Sequence, residues 1–411
     1  MSLFKSHAHA TEAPVPTNWT GVALGLCIGA LAAFHQFKIP PAIPLLLDRY
    51  HYDLTVAGGF MSVYAAVGLA ASALLGLGMQ RFGLRRYVSL AATLFIVGSL
   101  ITIAWPTFAS VVLISRGIEG LGFAIFAVAG PVLAISSAND RHRPLAIAIY
   151  AAWIPLGQLV ALGVAQPVIA AEEWRLIWWV GVALTVLLTA AVWRAGRHPK
   201  RDPSTIQPAL RLRDVSQAQR VALYMSAALF ALWSGQFFAM TTWLPHYLVE
   251  VRGISASAAM LPYAVPAVVV IIFNIVGGML LRRGVPMFPL LSGALAVQGV
   301  LWLFFASFDS VWSGIAALAI FGAAAGITPT CLFSMPNTIL GPRGSSGTAF
   351  GVIMTGRNLG VLVGPILLPQ LMQLSGAWNE ASPVFGVITL VAAAGAAGLG
   401  VMMFRIDSPA Q

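Results

Sequence analysis

The chain is a succession of apolar runs, each close to the length that a lipid bilayer demands. The runs span residues 20–44, 55–78, 86–105, 108–137, 144–170, 175–193, 220–246, 257–281, 286–306, 311–338, 345–373 and 380–404. A helix crosses the ~30 Å hydrocarbon layer with roughly 20 apolar residues, longer if tilted. Backbone groups in lipid must pair within the protein, so only helices and closed barrels span it. Barrel strands alternate polar and apolar residues, and these runs do not. The pattern predicts an all-α integral membrane protein of twelve transmembrane helices. Composition agrees: 59% of residues are hydrophobic and 9% charged, against about 25% charged in soluble domains.

The net charge of +10 would point to nucleic acid in a soluble protein. Here the basic residues sort by loop instead, and no nucleic-acid partner is expected. With the N-terminus inside, Lys5, Arg81, Arg85, Arg86, Arg141, Arg143, Arg194, Arg197, Lys200, Arg201, Arg211, Arg213, Arg220, Arg282, Arg283, Arg343 and Arg405 are cytoplasmic, and only Arg49, Arg175 and Arg252 lie outside. The positive-inside rule then places both termini in the cytoplasm. No apolar segment precedes the first long run, so no cleaved signal peptide is expected.

The segment from Arg194 to Arg220, with prolines at 199, 203 and 208, is the one long polar connection. It divides the runs six and six. The expected organisation is a tail (1–19), a six-helix bundle (20–193), a linker (194–219), a second six-helix bundle (220–404) and a short tail (405–411). The halves echo each other: LAIAIYAAWIPLGQLV (145–160) aligns with TAFGVIMTGRNLGVLV (348–363), setting Gly157 against Gly360. Parallel repeats of this kind are typical of secondary transporters, which bind substrate between halves near the midplane.

One run is broken by charge. In SSGTAFGVIMTGRNLGVLVGPILLPQLMQ (345–373), Arg357 stands about 12 residues in, roughly 18 Å along the helix. A guanidinium at that depth costs between ~3 and ~15 kcal/mol unless it faces water, a carboxylate or an anionic ligand. Glu119 is the acid within a membrane run and stands three residues after Arg116, on the same helix face. It is either a proton carrier or the partner that neutralises Arg116.

The loop GLGMQRFGLRRYV (76–88) resembles the G-x-x-x-D-R-x-G-R-R-R motif of the major facilitator superfamily, with Gly76, Arg81, Gly83, Arg85 and Arg86 matching and Gln80 and Leu84 departing. RGIEGLGFA (116–124) is similar to the superfamily's R-x-x-Q-G-x-G motif, with Glu119 at the usual Gln. FKIPPAIPLL (37–46) and TTWLPHYLVE (241–250) look like the corresponding segments of its cyanate permease and nitroimidazole transporter branch. The resemblance implies two pseudo-symmetric six-helix bundles, a gating role for the 76–88 loop, and a cavity bordered by helices one, two, four, five, seven, eight, ten and eleven. Helix five carries WIPLGQL (153–159) in place of the glycine-rich drug/proton antiporter motif.

Depth and helix then select candidate substrate contacts: Arg357, Asn358, Lys38, Arg116, Gln236, Trp153 and Asn337, with Glu119 for proton coupling. Lys38 is expected to stretch toward the outer interface, and His35 and Gln36 to form a satisfied core pair. No P-loop, nucleophile elbow or clustered metal ligands occur, so neither enzyme, cofactor nor metal is expected; His7 and His9 read as a solvated tail. The expectation is a monomeric, lipid-embedded secondary transporter of the bacterial inner membrane. It would move a small anion by alternating access, driven by a proton or by the solute's own gradient. Efflux of amphipathic drugs or metabolites is the alternative, and a non-transporting receptor a third reading.

Overall fold

The computed structural model describes residues 16–139, 141–150, 152–195, 213, 215–308, 310–341 and 347–407, with 71–82 and a few positions near helix ends described by backbone alone. Residues 1–15 and 408–411 of the expected tails and residues 196–212 and 214 of the expected linker lie outside the described residues, as do His7 and His9. Every regular element among the described residues is helical. In order they are α1 (Trp19–Phe37), α2 (Ile39–Tyr50), α3 (Leu54–Phe82), α4 (Leu84–Ala104), α5 (Ala109–Ser136), α6 (Arg143–Tyr150), α7 (Trp153–Ala170), α8 (Arg175–Arg194), α9 (Gln217–Glu250), α10 (Ala256–Arg282), α11 (Met287–Leu303), α12 (Val311–Leu340), α13 (Gly347–Ser375) and α14 (Trp378–Asp407). Ten spans are long and apolar enough to cross a membrane, and the shorter stretches Leu54–Ala70 and Met287–Leu303 complete twelve crossings.

Two crossings are broken: α1 runs into α2, and α6 into α7. The first break follows from FKIPP. Pro40 has no N–H, so the Gln36 carbonyl four residues back loses its helical donor. In lipid that oxygen needs another partner, and the side chain of Arg116 supplies one at 3.1 Å.

Elements α1–α8 pack mainly among themselves, as do α9–α14. The two groups meet where α3 lies on α13, α7 on α10, and α2 on α9. The aligned glycines explain the matching geometry. A Cβ on Gly157 would stand 2.1 Å from the Ala30 carbonyl oxygen of α1, and one on Gly360 would stand 2.1 Å from that of Ala231 in α9. Both sites therefore require the smallest side chain for close helix approach. Gly356 and Gly364 extend the stripe on α13, meeting Ala227 and Gly235.

Twelve crossings put both ends of the chain on one face. The halves are closed toward the opposite face. There α2 packs on α9, a Cβ on Gly58 would stand 2.2 Å from the Pro365 carbonyl oxygen, and Gln373 Nε2 donates to Asp53 Oδ2 at 3.5 Å.

Candidate functional site

The glycine stripe of α13 sits on α9, and this turns the next two residues toward the seam between halves. Arg357 is 5% exposed. It lies ten residues into α13, about 15 Å from the terminus-bearing end. Its Nη1 donates to Asn358 Oδ1 at 3.0 Å, and its guanidinium carbon lies 5.3 Å from the Phe238 ring centroid. No carboxylate lies within ion-pairing distance of it among the described residues. Gly68 of α3 packs under Asn358 from the other half, where a Cβ would stand 3.5 Å from Nδ2. The backbone of this turn is fixed too, since Ser234 Oγ donates to the Arg357 carbonyl oxygen at 2.8 Å.

The second ionic centre lies inside the first half, and the structure brings Lys38, Arg116 and Glu119 together there. Lys38 does not stretch to the interface. It is fully buried, with Nζ 2.7 Å from Glu119 Oε1. The Glu119 carboxylate is saturated: Oε1 also accepts from Ser99 at 2.6 Å, and Oε2 accepts from Tyr64 at 2.8 Å and from Arg116. Gly98 makes the room, as a Cβ there would stand 2.5 Å from Glu119 Cγ. Arg116 spends its remaining donors on the carbonyls of Phe60 (3.1 Å), His35 (2.8 Å) and Gln36 (3.1 Å). It therefore holds the α1–α2 break as well as pairing with Glu119. Thr185 gives its proton to the Gly181 carbonyl, so it takes one from His35 Nε2 at 2.9 Å. His35 Nδ1 is left to accept from Lys38 at 3.2 Å, which makes the imidazole neutral. His35 is thus satisfied, but its expected companion is not: Gln36 Oε1 is buried without a partner. In this conformation a ligand reaches neither Lys38 nor Arg116 unless the cluster opens.

Gln236 lies inside the second half. Its Nε2 donates to Gln298 Oε1 at 2.7 Å, and its Oε1 accepts from Trp302 at 2.6 Å. Trp233 and Thr328 complete that neutral network through Gln298. It links α9, α11 and α12, the counterparts of α1, α4 and α5, which hold the ionic cluster. Trp153 is half-buried against Tyr150 and Phe123 in the first half. Asn337 is exposed near the terminus-bearing end of α12. In the 76–88 loop, Gly83 takes a φ of 77° before α4, a turn suited to glycine. Arg85 donates to the Trp193 carbonyl at 3.0 Å and lies over that indole, bracing α4 to α8 within one half. Arg86 is exposed, and the Gly76 and Arg81 positions are described by backbone alone.

Phe37, Phe238, Tyr64 and Ser99 carry the two centres, and little in an apolar run marks them. Only Tyr64 had a local signal, a phenol that needs a partner when buried.

Both halves thus hold buried charge or polar networks and small-residue contacts where helices approach closely. The Major Facilitator Superfamily matches residues 25–365. The chain belongs to the major facilitator superfamily. It is a multi-pass membrane transporter and not an enzyme. Among superfamily relatives it is 22% identical to the "Probable sulfoacetate transporter" of Cupriavidus necator, over 92% of this chain and 93% of that one. It is 29% identical to the "Probable galactarate/D-glucarate transporter" of Escherichia coli, over 37% of this chain and 35% of that one. It is 28% identical to "D-xylose-proton symporter-like 2" of Arabidopsis thaliana, over 29% and 24% respectively. The fold matches a solved bacterial homolog of the human lysosomal transporter Spinster, inward-facing and occupied, with a TM-score of 0.78 at 16% identity, covering 97% of this chain and all of that one.

Proposed function

We infer that this superfamily transporter moves a small organic anion by alternating access, with Arg357 as the charge that receives it. One observation carries this reading: Arg357 is a nearly buried guanidinium whose partners among the described residues are one amide oxygen and one aromatic ring. Its planar donor fork suits a carboxylate or sulfonate, and Asn358 beside it adds an amide for a second polar group. Arg116 and Lys38, by contrast, already share a carboxylate. Two relatives point the same way through the anions in their names, sulfoacetate and galactarate or glucarate. The FKIPPAIPLL and TTWLPHYLVE segments add the likeness to cyanate and nitroimidazole carriers.

Glu119 serves as the proton-coupling group in this reading. Protonation would remove the carboxylate that Lys38 and Arg116 share and so loosen the α1–α2 break. Arg116 and Lys38 then act through that break rather than as ligand contacts, and Gln236 keeps the second half rigid. The boundaries at 194–219, the cytoplasmic placement of both termini, the bacterial inner membrane and a monomeric state belong to the same proposal.

Uptake into proteoliposomes tests it, with labelled sulfoacetate and glucarate as probes and a pH gradient as drive. Arg357→Gln inserts normally and loses at least about tenfold in anion uptake, the order expected from removing a charge-assisted contact. Arg357→Lys keeps part of it. Wild-type uptake rates in Arg357→Gln would overturn the reading. Retained transport of uncharged amphipathic compounds in that variant would favour efflux instead.

A further inference from the structure

The aromatic contacts across the seam add a second role to Arg357, one that rests on its assignment as the ligand-binding charge. Phe238 of α9 is 2% exposed and presents one ring contact to Arg357. It presents another to Phe37 of α1, which belongs to the other half: the ring centroids are 5.8 Å apart and the planes 28° from parallel. Phe37 is 1% exposed and immediately precedes Lys38, where the first crossing breaks. The segment beyond it, α2, is the one packed on α9 to close the opposite face. Phe238 is itself braced by Phe237, edge-on at 5.5 Å, which stacks on Trp233 at 5.2 Å. Trp233 is tied to Gln298 in the neutral network of the second half.

We propose that the Phe37–Phe238 ring pair is the gate between the central site and the opposite face, and that Arg357 holds it shut while no ligand is bound. The geometry makes this an economical device. A cation over an aromatic face is stabilising, and more so away from water. The contact also restrains Phe238, so the ring stays where Phe37 can stack on it. A ligand that draws the guanidinium off the ring removes that restraint. The same side chain therefore reports occupancy to the gate, and no long relay between halves is needed. Phe238 is in this sense a positioning residue, acting through Arg357 and Phe37.

Accessibility of the closed side is the discriminating measurement. Ala42 is fully buried in α2, beyond the gate. Ala42→Cys, in a Cys27→Ser/Cys331→Ser background, is labelled with a membrane-impermeant maleimide supplied from the α2 side, without added substrate. Phe238→Leu, Phe37→Leu and Arg357→Gln each raise the labelling rate about 2- to 30-fold, the range of a cation–π contact converted to an equilibrium constant. Phe238→Tyr, which keeps the ring, leaves it within about twofold of wild type. Unchanged labelling in Phe238→Leu and Phe37→Leu, with both proteins monodisperse in detergent, would overturn the gate. A rise in those two but not in Arg357→Gln would overturn the role of the cation. Because no substrate is present, these outcomes are separate from the uptake assay, and a failed anion assignment leaves them readable.

Discussion

Glu119 is the residue on which the first half turns. Two cations and one carboxylate are enclosed between α1, α3, α4, α5 and α8, and each carboxylate oxygen accepts two donors. Removing one partner of a buried ion pair costs about 3–5 kcal/mol, because the other charge is left without compensation. Glu119→Gln is therefore expected to lower the unfolding temperature in detergent markedly. Adding Lys38→Met removes one of the stranded charges and recovers part of the loss, a coupling that a double-mutant cycle measures directly. A double variant no more stable than Glu119→Gln would show that Lys38 is not held by that carboxylate. Sequence spacing identified Arg116 and Glu119 as a pair. It did not place Lys38 with them, because Lys38 comes from another helix 81 residues away.

At the scale of helices, the small residues decide how close the elements come. Gly157 on α7 and Gly360 on α13 make the same contact with α1 and α9, and their alignment was visible in the repeat. A valine at Gly360 would meet the Ala231 carbonyl and Ser234 Oγ, both 2.1 Å from its Cβ position. Overpacking of this kind costs typically ~1–3 kcal/mol, and this contact involves rigid backbone. Gly360→Val and Gly157→Val are expected to reduce thermal stability by similar amounts. Gly278→Ala, where nothing stands within 4 Å, leaves it unchanged or slightly raised. Equal melting temperatures for all three would refute close approach as the reason for the aligned glycines. The Pro40 break belongs to this scale too. Its sequence announces an interrupted helix, yet the guanidinium that satisfies the freed carbonyl arrives from α5.

Across the whole molecule, the two halves touch chiefly where α3 meets α13, α7 meets α10 and α2 meets α9, and they are closed at the α2 end. Asp53 and Gln373 face each other across that end at 3.5 Å. Cysteines at both positions, joined by a short bifunctional thiol reagent, are expected to stop uptake while leaving the protein folded. A reducible linker restores transport on cleavage. Undiminished uptake in the crosslinked protein would mean that the halves never part at this seam. The neutral network in the second half and the ionic one in the first occupy equivalent places. This puts the buried ion pairs on one side of the seam, and on the other Arg357, which has no carboxylate partner among the described residues.

Twelve crossings, the two-fold repeat and the intramembrane charges were all legible in the chain itself. Each follows from length, local backbone chemistry or the cost of charge in lipid, and none requires knowing what packs on what. Where Lys38 goes was decided by tertiary structure alone. Spacing puts Glu119 beside Arg116, but distance along the sequence cannot say whether Lys38 or Arg357 shares that carboxylate. Folding assembles Lys38 and Arg116 around Glu119 and leaves Arg357 against Phe238, because ion pairing depends on separations of a few ångströms between helices far apart in the chain.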